Sequence, residues 1–218
     1  MVRIRRAKPE DARELLEIYR PYVEHTAITF EWEMPTEEEF RGRILRTMER
    51  YPWLVAEKDG LLLGYAYAGA FKERRAYDWA VETTVYLHPS VKGQGLGRRL
   101  YKALEDVLRK QGIINLNACI GVPQAGVEDP WLDDNSMHFH AHLGYRLVGR
   151  FEKCGYKFGR WYDMVWMEKH LSDHPAPPPG SRVVCRTGNR LKRNAWFKPW
   201  GFGVASFYNE TESGSCRR

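Results

Sequence analysis

Residues 80–112 read AVETTVYL (80–87), HPSVKGQGLG (88–97) and RRLYKALEDVLRKQG (98–112). The first block reads as a strand, whereas Leu96, Leu100, Leu104, Val107 and Leu108 recur at the helical period. Between them lies Lys92-Gly93-Gln94-Gly95-Leu96-Gly97-Arg98. Glycines let a backbone approach a ligand closely, and the free N–H groups that open a helix, backed by its dipole, suit phosphate oxygens. By itself the stretch also reads as a tight turn. Two common phosphate loops are excluded by spacing. G-x-x-x-x-G-K-[ST] is absent, and the dinucleotide pattern G-x-G-x-x-G belongs near the first strand of its fold. Here three or four strands precede the loop, and it reads G-x-G-x-G.

Upstream, Val2 and Ile4 alternate with Arg3 and Arg5 as a short strand, and Pro9 opens a helix with Leu15, Leu16, Ile18 and Tyr19 on its apolar side. Thr36 with Glu39 forms a capping-box pattern ahead of Phe40, Ile44, Leu45 and Met48. WLVAEKDGLLLGYAYAGAF (53–71) predicts two strands around an Asp59-Gly60 hairpin turn. Downstream, Gly112 stops the helix and IINLNACI (113–120) predicts a strand, which makes a parallel pair with a right-handed crossover. Asn135 is placed to cap a short helix that Gly144 ends, and two strands close the chain, one at 145–151 and one around Trp161 to Met167. The expectation is an α/β fold with a mixed sheet and helices on both faces.

With 218 residues and 43% hydrophobic content, the chain is long enough for one substantial core and an extension. Residues 174–218 hold eight of the 34 Lys and Arg but two of the 28 Asp and Glu, so the net charge of +6 belongs to that segment. It opens with HPAPPPG (174–180), a stiff polyproline-like stretch, and continues without period. A domain over 1–173 and a disordered extension over 174–218 are therefore expected. RLKRNAWFKPWGF (190–202) mixes cations with aromatics, which admits nucleic-acid binding as an alternative role. Cys119, Cys154, Cys185 and Cys216 form no C-x-x-C pair and read as reduced thiols, Cys119 as core. No secretory leader or run of about 18 apolar residues is visible, so a soluble cytoplasmic protein is expected.

The order strand, helix, helix, three strands, glycine loop, helix, strand, helix, strand resembles the GNAT acetyltransferases. Their signature [Q/R]-x-x-G-x-[G/A] falls on this loop, with Lys92 where Gln or Arg is usual. Over residues 3–170 the chain is most similar to the phosphinothricin and methionine sulfone acetyltransferase branch. The likeness rests on YPWLVAE (51–57), GYAYAG (64–69), AYDWAVETTVYLHP (76–89), GLGRRLY (95–101), HLGY (142–145) and GYKFGRW (155–161). The resemblance implies a mostly antiparallel sheet with one parallel βαβ pair, acetyl-CoA as co-substrate, no metal, a small-molecule amine as partner and a homodimer.

The chemistry fixes which groups to seek. An amine is mostly protonated at pH 7, so a base must take a proton before nitrogen attacks a thioester, and the departing thiolate benefits from an acid. By resemblance the base is Glu82, acting through water, and the acid is His140. Val85, Tyr86 and Leu87 offer backbone contacts to the pantetheine arm, with the Leu87 N–H polarising the thioester oxygen. Lys92, Gly93, Gln94, Gly95, Leu96, Gly97 and Arg98 would hold the pyrophosphate, and Asn135 would contact the cofactor. For the substrate the resemblance points to Arg74 and Tyr77, and Arg75 beside them supplies a second guanidinium suited to a carboxylate or phosphinate. Each has a structural alternative: a solvent-facing strand carboxylate for Glu82, a hydrogen-bonded structural imidazole for His140, solvated turn charges for the arginines. His138 and His142 stand four apart, but without an accompanying glutamate no metal site is expected.

GVPQAGVEDPWLDDNS (121–136) is longer than the link usual in this branch and adds Glu128, Asp129, Asp133 and Asp134. An acidic pocket would favour a polycation over an amino acid. A polyamine, an antibiotic or a protein N-terminus thus stands beside an amino-acid-like substrate as an alternative, as does a regulator that binds acetyl-CoA without transfer.

Overall fold

A computed structural model describes residues 1–180; the expectations for 181–218, including the aromatic and basic stretch, lie outside the described residues. The strands are β1 (Arg3–Arg6), β2 (Trp53–Lys58), β3 (Leu61–Ala70), β4 (Ala80–Leu87), β5 (Asn115–Val122), β6 (Arg146–Lys157) and β7 (Arg160–His170). The helices are α1 (Ala12–His25), α2 (Glu37–Met48), α3 (Leu96–Gln111) and α4 (Asn135–His142). The sheet runs β1-β2-β3-β4-β5-β7-β6, antiparallel throughout except for β4 and β5.

Local chemistry sets most boundaries. Thr36 accepts from the Glu39 N–H at 3.2 Å while the Glu39 carboxylate takes the Thr36 N–H at 2.8 Å, the reciprocal cap expected at α2. Asp59 (φ 51°) and Gly60 (φ 84°) are both left-handed, which closes the two-residue turn between β2 and β3. Gly112, at φ 82°, ends α3. Asp134, not Asn135, holds the N-cap position of α4, so Asn135 is its first residue.

Two cores lie on the two faces of the sheet. Leu96, Leu100, Leu104 and Leu108 of α3 pack with Val81, Leu116, Ala118 and Val165 on one side. On the other, Leu15, Ile18 and Val23 of α1 and Phe40 and Ile44 of α2 pack with Trp53, Val55 and Tyr65. Apolar burial at roughly 25 cal/mol per Å² makes these two layers the dominant favourable term.

The Pro-rich stretch does not leave the domain surface at 173. His174 Nε2 meets Asn115 Oδ1 at 2.8 Å and Trp79 Nε1 donates to the Pro179 carbonyl at 2.5 Å. The indole thus gives residues 174–180 a hold on the connection ahead of β4.

Gly64 of β3 lies opposite Leu87. A Cβ there would come within 2.8 Å of the Tyr86 carbonyl oxygen and 3.2 Å of Leu87 Cα, backbone atoms that cannot step aside cheaply. Gly64→Ala is expected to cost about 1–3 kcal/mol by overpacking, read from the denaturant midpoint.

Candidate active site

Strands β4 and β5 pair only from Ala80–Asn115 to Glu82–Asn117, although β4 runs on to Leu87 and β5 to Val122. Side chains bracket the point where they part. Thr83 Oγ1 donates to the Asn117 carbonyl at 3.2 Å and Asn117 Nδ2 donates to the Val81 carbonyl at 3.1 Å. Ala80 C=O accepts from Phe71 N–H, and His88 N–H donates to Leu63 C=O, so even-numbered residues of β4 turn their backbone groups toward β3. Odd-numbered residues face the other way, and beyond Glu82 no strand meets them. Val85 therefore presents its backbone groups to an open cleft, and those of Leu87 point the same way but meet a side chain, the Tyr22 hydroxyl.

This alternation corrects one expectation. Tyr86 aims its backbone at β3, opposite Tyr65, and its ring packs among Tyr19, Tyr22 and Tyr65 at centroid distances of 4.8, 4.9 and 5.5 Å. It offers the cleft no backbone donor. Tyr22, which the sequence reading did not single out, stands at the cleft instead. Its hydroxyl donates to the Leu87 carbonyl at 2.6 Å and accepts from the Leu87 N–H at 3.3 Å, and Lys92 Nζ sits 4.7 Å from the centre of its ring.

At the mouth, Gly93 (φ 76°) and Gly95 (φ 72°) take left-handed backbone angles, and a Cβ on either would meet nothing within 4 Å. Ordinary residues pay strain at such angles, so glycine is required here. Arg99 N–H returns to the Gly95 carbonyl at 3.2 Å, leaving the amides of Leu96, Gly97 and Arg98 as the unpaired start of α3. Gln94 is tied to the Ser90 carbonyl at 3.1 Å, and the Arg98 side chain is exposed. A bent loop with free amides at a helix N-terminus fits a pyrophosphate, and the adjacent unpaired strand edge fits an extended amide-bearing arm.

Glu82 stands where the strands part, half-buried, with its side chain on the α1 and α2 face. Opposite it on β3 is Gly69, where an added Cβ would touch nothing, so the space beside the carboxylate is open. Burial raises the Glu82 pKa above the usual carboxylate value, and the charge of Lys72 opposes the rise. Tyr67, half-buried on the same face, feels the charges of Glu82, Glu31 and Arg43. Cys119, expected in the core, is exposed from the cleft; crowding by protein and the charge of Glu82 push its thiol up to about 12. Arg74, Arg75 and Tyr77 occupy the connection between β3 and β4, all exposed, with Tyr77 edge-on to Phe71 at 5.9 Å.

His140 lies away from solvent, 4% exposed. Its Nδ1–H donates to the Ser136 carbonyl at 2.7 Å, so Nε2 is the acceptor for the Tyr101 hydroxyl at 2.8 Å. Tyr145 donates to Thr83 Oγ1 at 3.0 Å, and the Tyr101 hydroxyl, its proton committed to His140, lies 3.4 Å from the same oxygen, so a buried polar cluster spans from α4 to β4. Burial lowers the His140 pKa, keeping the imidazole neutral with its single N–H committed. The geometry therefore does not support the thiolate-acid role expected of it. Asn135 is also occupied: it is exposed, and its amide donates to Asp133 at 2.5 Å. His142 Nδ1 donates to the His138 carbonyl, His138 faces Asp134, and no cluster able to hold a metal occurs among the described residues.

Three of the four carboxylates of the 121–134 loop are bound by neighbours, and Glu128 is exposed. Asp129 is bound by Arg160 and Tyr162, Asp133 by Asn135, and Asp134 pairs with His138. The electrostatic case for a polycation falls with that arrangement.

The family described as Acetyltransferase (GNAT) domain matches residues 4–166. The chain is a GNAT acetyltransferase. It is 38% identical over 183 residues to the phosphinothricin N-acetyltransferase of Streptomyces viridochromogenes, covering 84% of this chain and 94% of the relative. Against the L-methionine sulfoximine/L-methionine sulfone acetyltransferase of Salmonella typhimurium it is 34% identical, covering 80% and 97%. A crystal structure of a phosphinothricin acetyltransferase from Sinorhizobium meliloti in complex with AcCoA superposes with a TM-score of 0.74 at 34% identity, over 84% of this chain and 95% of that one.

The buried imidazole gives a stability test. Because its folded pKa lies below the unfolded value of about 6.5, the unfolded chain takes up the proton first, and stability falls as pH drops through that value. His140→Phe strands the Tyr101 hydroxyl and is expected to cost about 1–3 kcal/mol at pH 8. Urea melts at pH 8 and pH 5.5 check both parts: the variant's loss between the two should be smaller than the wild type's.

Proposed function

We propose that this acetyltransferase moves the acetyl group of acetyl-CoA onto the primary amine of a small amino-acid-like compound of the phosphinothricin or methionine sulfone type. The observation that carries the reading is the half-buried Glu82 facing open space at the point where β4 and β5 part. The names of the similar proteins support the substrate class, and the bound carboxylates of the 121–134 loop favour it over a polyamine.

Bound acetyl-CoA supplies the thioester carbonyl and the thiolate leaving group. The amides of Leu96, Gly97 and Arg98, with Gly93 and Gly95 bent beneath, hold the pyrophosphate, and Lys92 and Arg98 add charge at the mouth. The Val85 N–H, and the Leu87 N–H on exchanging its Tyr22 partner, would donate to the thioester oxygen as it becomes negative. Glu82, through water, receives the ammonium proton and leaves a neutral nitrogen free to attack; its raised pKa brings the carboxylate nearer the working pH. Arg74, with Arg75 and Tyr77 beside it, takes the substrate's carboxylate or phosphinate. His140 serves as an anchor that fixes Tyr101 and Thr83 behind β4. Asn135, on the first turn of α4, is left without a cofactor contact in this reading.

We further propose a homodimer through β6, a sheet edge that exposes Leu147, Val148 and Phe151 among the described residues, and a cytoplasmic location where acetyl-CoA is supplied. No described helix is long and apolar enough to cross a membrane.

Glu82→Gln should lower kcat/KM for methionine sulfone by about 10²–10⁴-fold with the acetyl-CoA Kd unchanged. In the wild type the rate should fall as acid protonates Glu82, and the variant's residual rate should lack that limb. Wild-type activity in the glutamine variant would remove Glu82 from the role.

A further inference from the structure

Gln124 and Arg150 tie the start of the 121–134 loop to β7 and β6, and one carboxylate organises the rest of it. The Asp129 side chain is 5% exposed, and both its carboxylate oxygens are engaged. Oδ1 accepts from the Trp131 N–H at 2.8 Å, the Leu132 N–H at 3.1 Å and the Tyr162 hydroxyl at 3.2 Å, and Oδ2 accepts from Arg160 at 3.1 Å. A carboxylate with four donors is a rigid hub, since each charge-assisted bond is stronger than a neutral one.

The hub acts on the segment between α1 and α2. The Trp131 carbonyl accepts from the Ala27 N–H at 2.9 Å, and Leu132 packs with Ala27 and Tyr162 in a small buried cluster that Ile28 and Phe30 border. The Trp131 ring stacks on Phe158 at 4.5 Å. From the other side, the buried ammonium of Lys157 donates to the carbonyls of Val23, Thr26 and Thr29 at 2.8–2.9 Å. So clamped, Phe30 lies over Gly121 and Gly155; a Cβ on Gly155 would run into its ring. Gly121 follows Cys119 by two residues on the same face of β5, the face that opens to the cleft beside Glu82. The next residue, Glu31, pairs with Arg43 at 2.5 Å, and both charges reach Tyr67.

We propose that Asp129 is a positioning residue that sets selectivity for the amine: through Trp131 and Ala27 it holds Phe30 and Glu31 as the cleft wall on the β5 side. This rests on the acetyl-transfer reading above and adds that the added loop, rather than the glycine loop or β4, decides which side chain the amine may carry. A fixed aromatic wall admits a slender unbranched side chain and excludes a bulky one, whereas a loosened wall discriminates less.

The test compares Asp129→Asn, which keeps one carbonyl oxygen for the Trp131 and Leu132 amides but weakens the Arg160 pair, with Trp131→Ala. Both are assayed as full-length enzyme with methionine sulfone and phenylalanine. The expected result is a rise of about tenfold in KM for methionine sulfone, an unchanged acetyl-CoA Kd, and a drop in the methionine sulfone to phenylalanine kcat/KM ratio. Amide exchange at Ala27 should quicken in the same samples. An unchanged ratio with wild-type exchange at Ala27 overturns the proposal, as does an equal fall in kcat for both amines without a change in their ratio. A wild type that acetylates neither amine overturns the functional reading itself, while quickened exchange at Ala27 would still register the clamp.

Discussion

The parting of β4 from β5 after the Glu82–Asn117 pair is the constraint from which the rest of the site follows. A parallel pair that kept its ladder to Leu87 would consume the backbone groups of Val85 and Leu87 and leave the sheet closed. Unpaired strand edges are costly unless covered or used, so an internal one in the middle of a seven-stranded sheet asks for an occupant. The Thr83 and Asn117 side chains fix where the ladder stops, and the chain through Tyr101 and His140 fixes Thr83. The Glu82 carboxylate is thereby set at the fork, at the inner end of the cleft, while the glycine loop lies at its mouth.

The two faces of the sheet divide the labour. On the α3 side, side chains of Val81, Thr83, Val85 and Leu87 are packing and hydrogen-bonding groups, and the network there is fully satisfied, which gives a buried polar chain rigidity rather than reactivity. On the α1 and α2 side, Glu82, Thr84 and Tyr86 share a face with Tyr67 and the segment that Lys157 and Asp129 clamp. Strand alternation alone separates the half-buried carboxylate of Glu82 from the scaffold one residue away.

Much of this was legible in the sequence. The bounds of β4, the Asp59-Gly60 turn, the Thr36 and Glu39 cap and the glycine stop of α3 are local signals, and they landed where local chemistry placed them. What failed were statements about direction. Tyr86 shares a motif with Val85 and Leu87, yet period-2 geometry turns its backbone to β3. His140 sits at a family position for an acid, but only the fold tells that its nitrogens meet Ser136 and Tyr101. Cys119 lies in an apolar run and reads as core, because the run does not disclose that its neighbour strand has departed. Tyr22, 65 residues from Leu87, and Lys157, more than 120 residues from the carbonyls it binds, are long-range contacts that no spacing rule reaches.

The central claim is that the free edge of β4 receives the acetyl-CoA arm. The most direct measurement is residue-resolved amide exchange at Val85, Tyr86 and Leu87 with and without acetyl-CoA. Strong slowing at Val85 and Leu87, with Tyr86 already protected by β3 and little changed, is the predicted result. Binding of acetyl-CoA with no change at Val85 and Leu87 would contradict it.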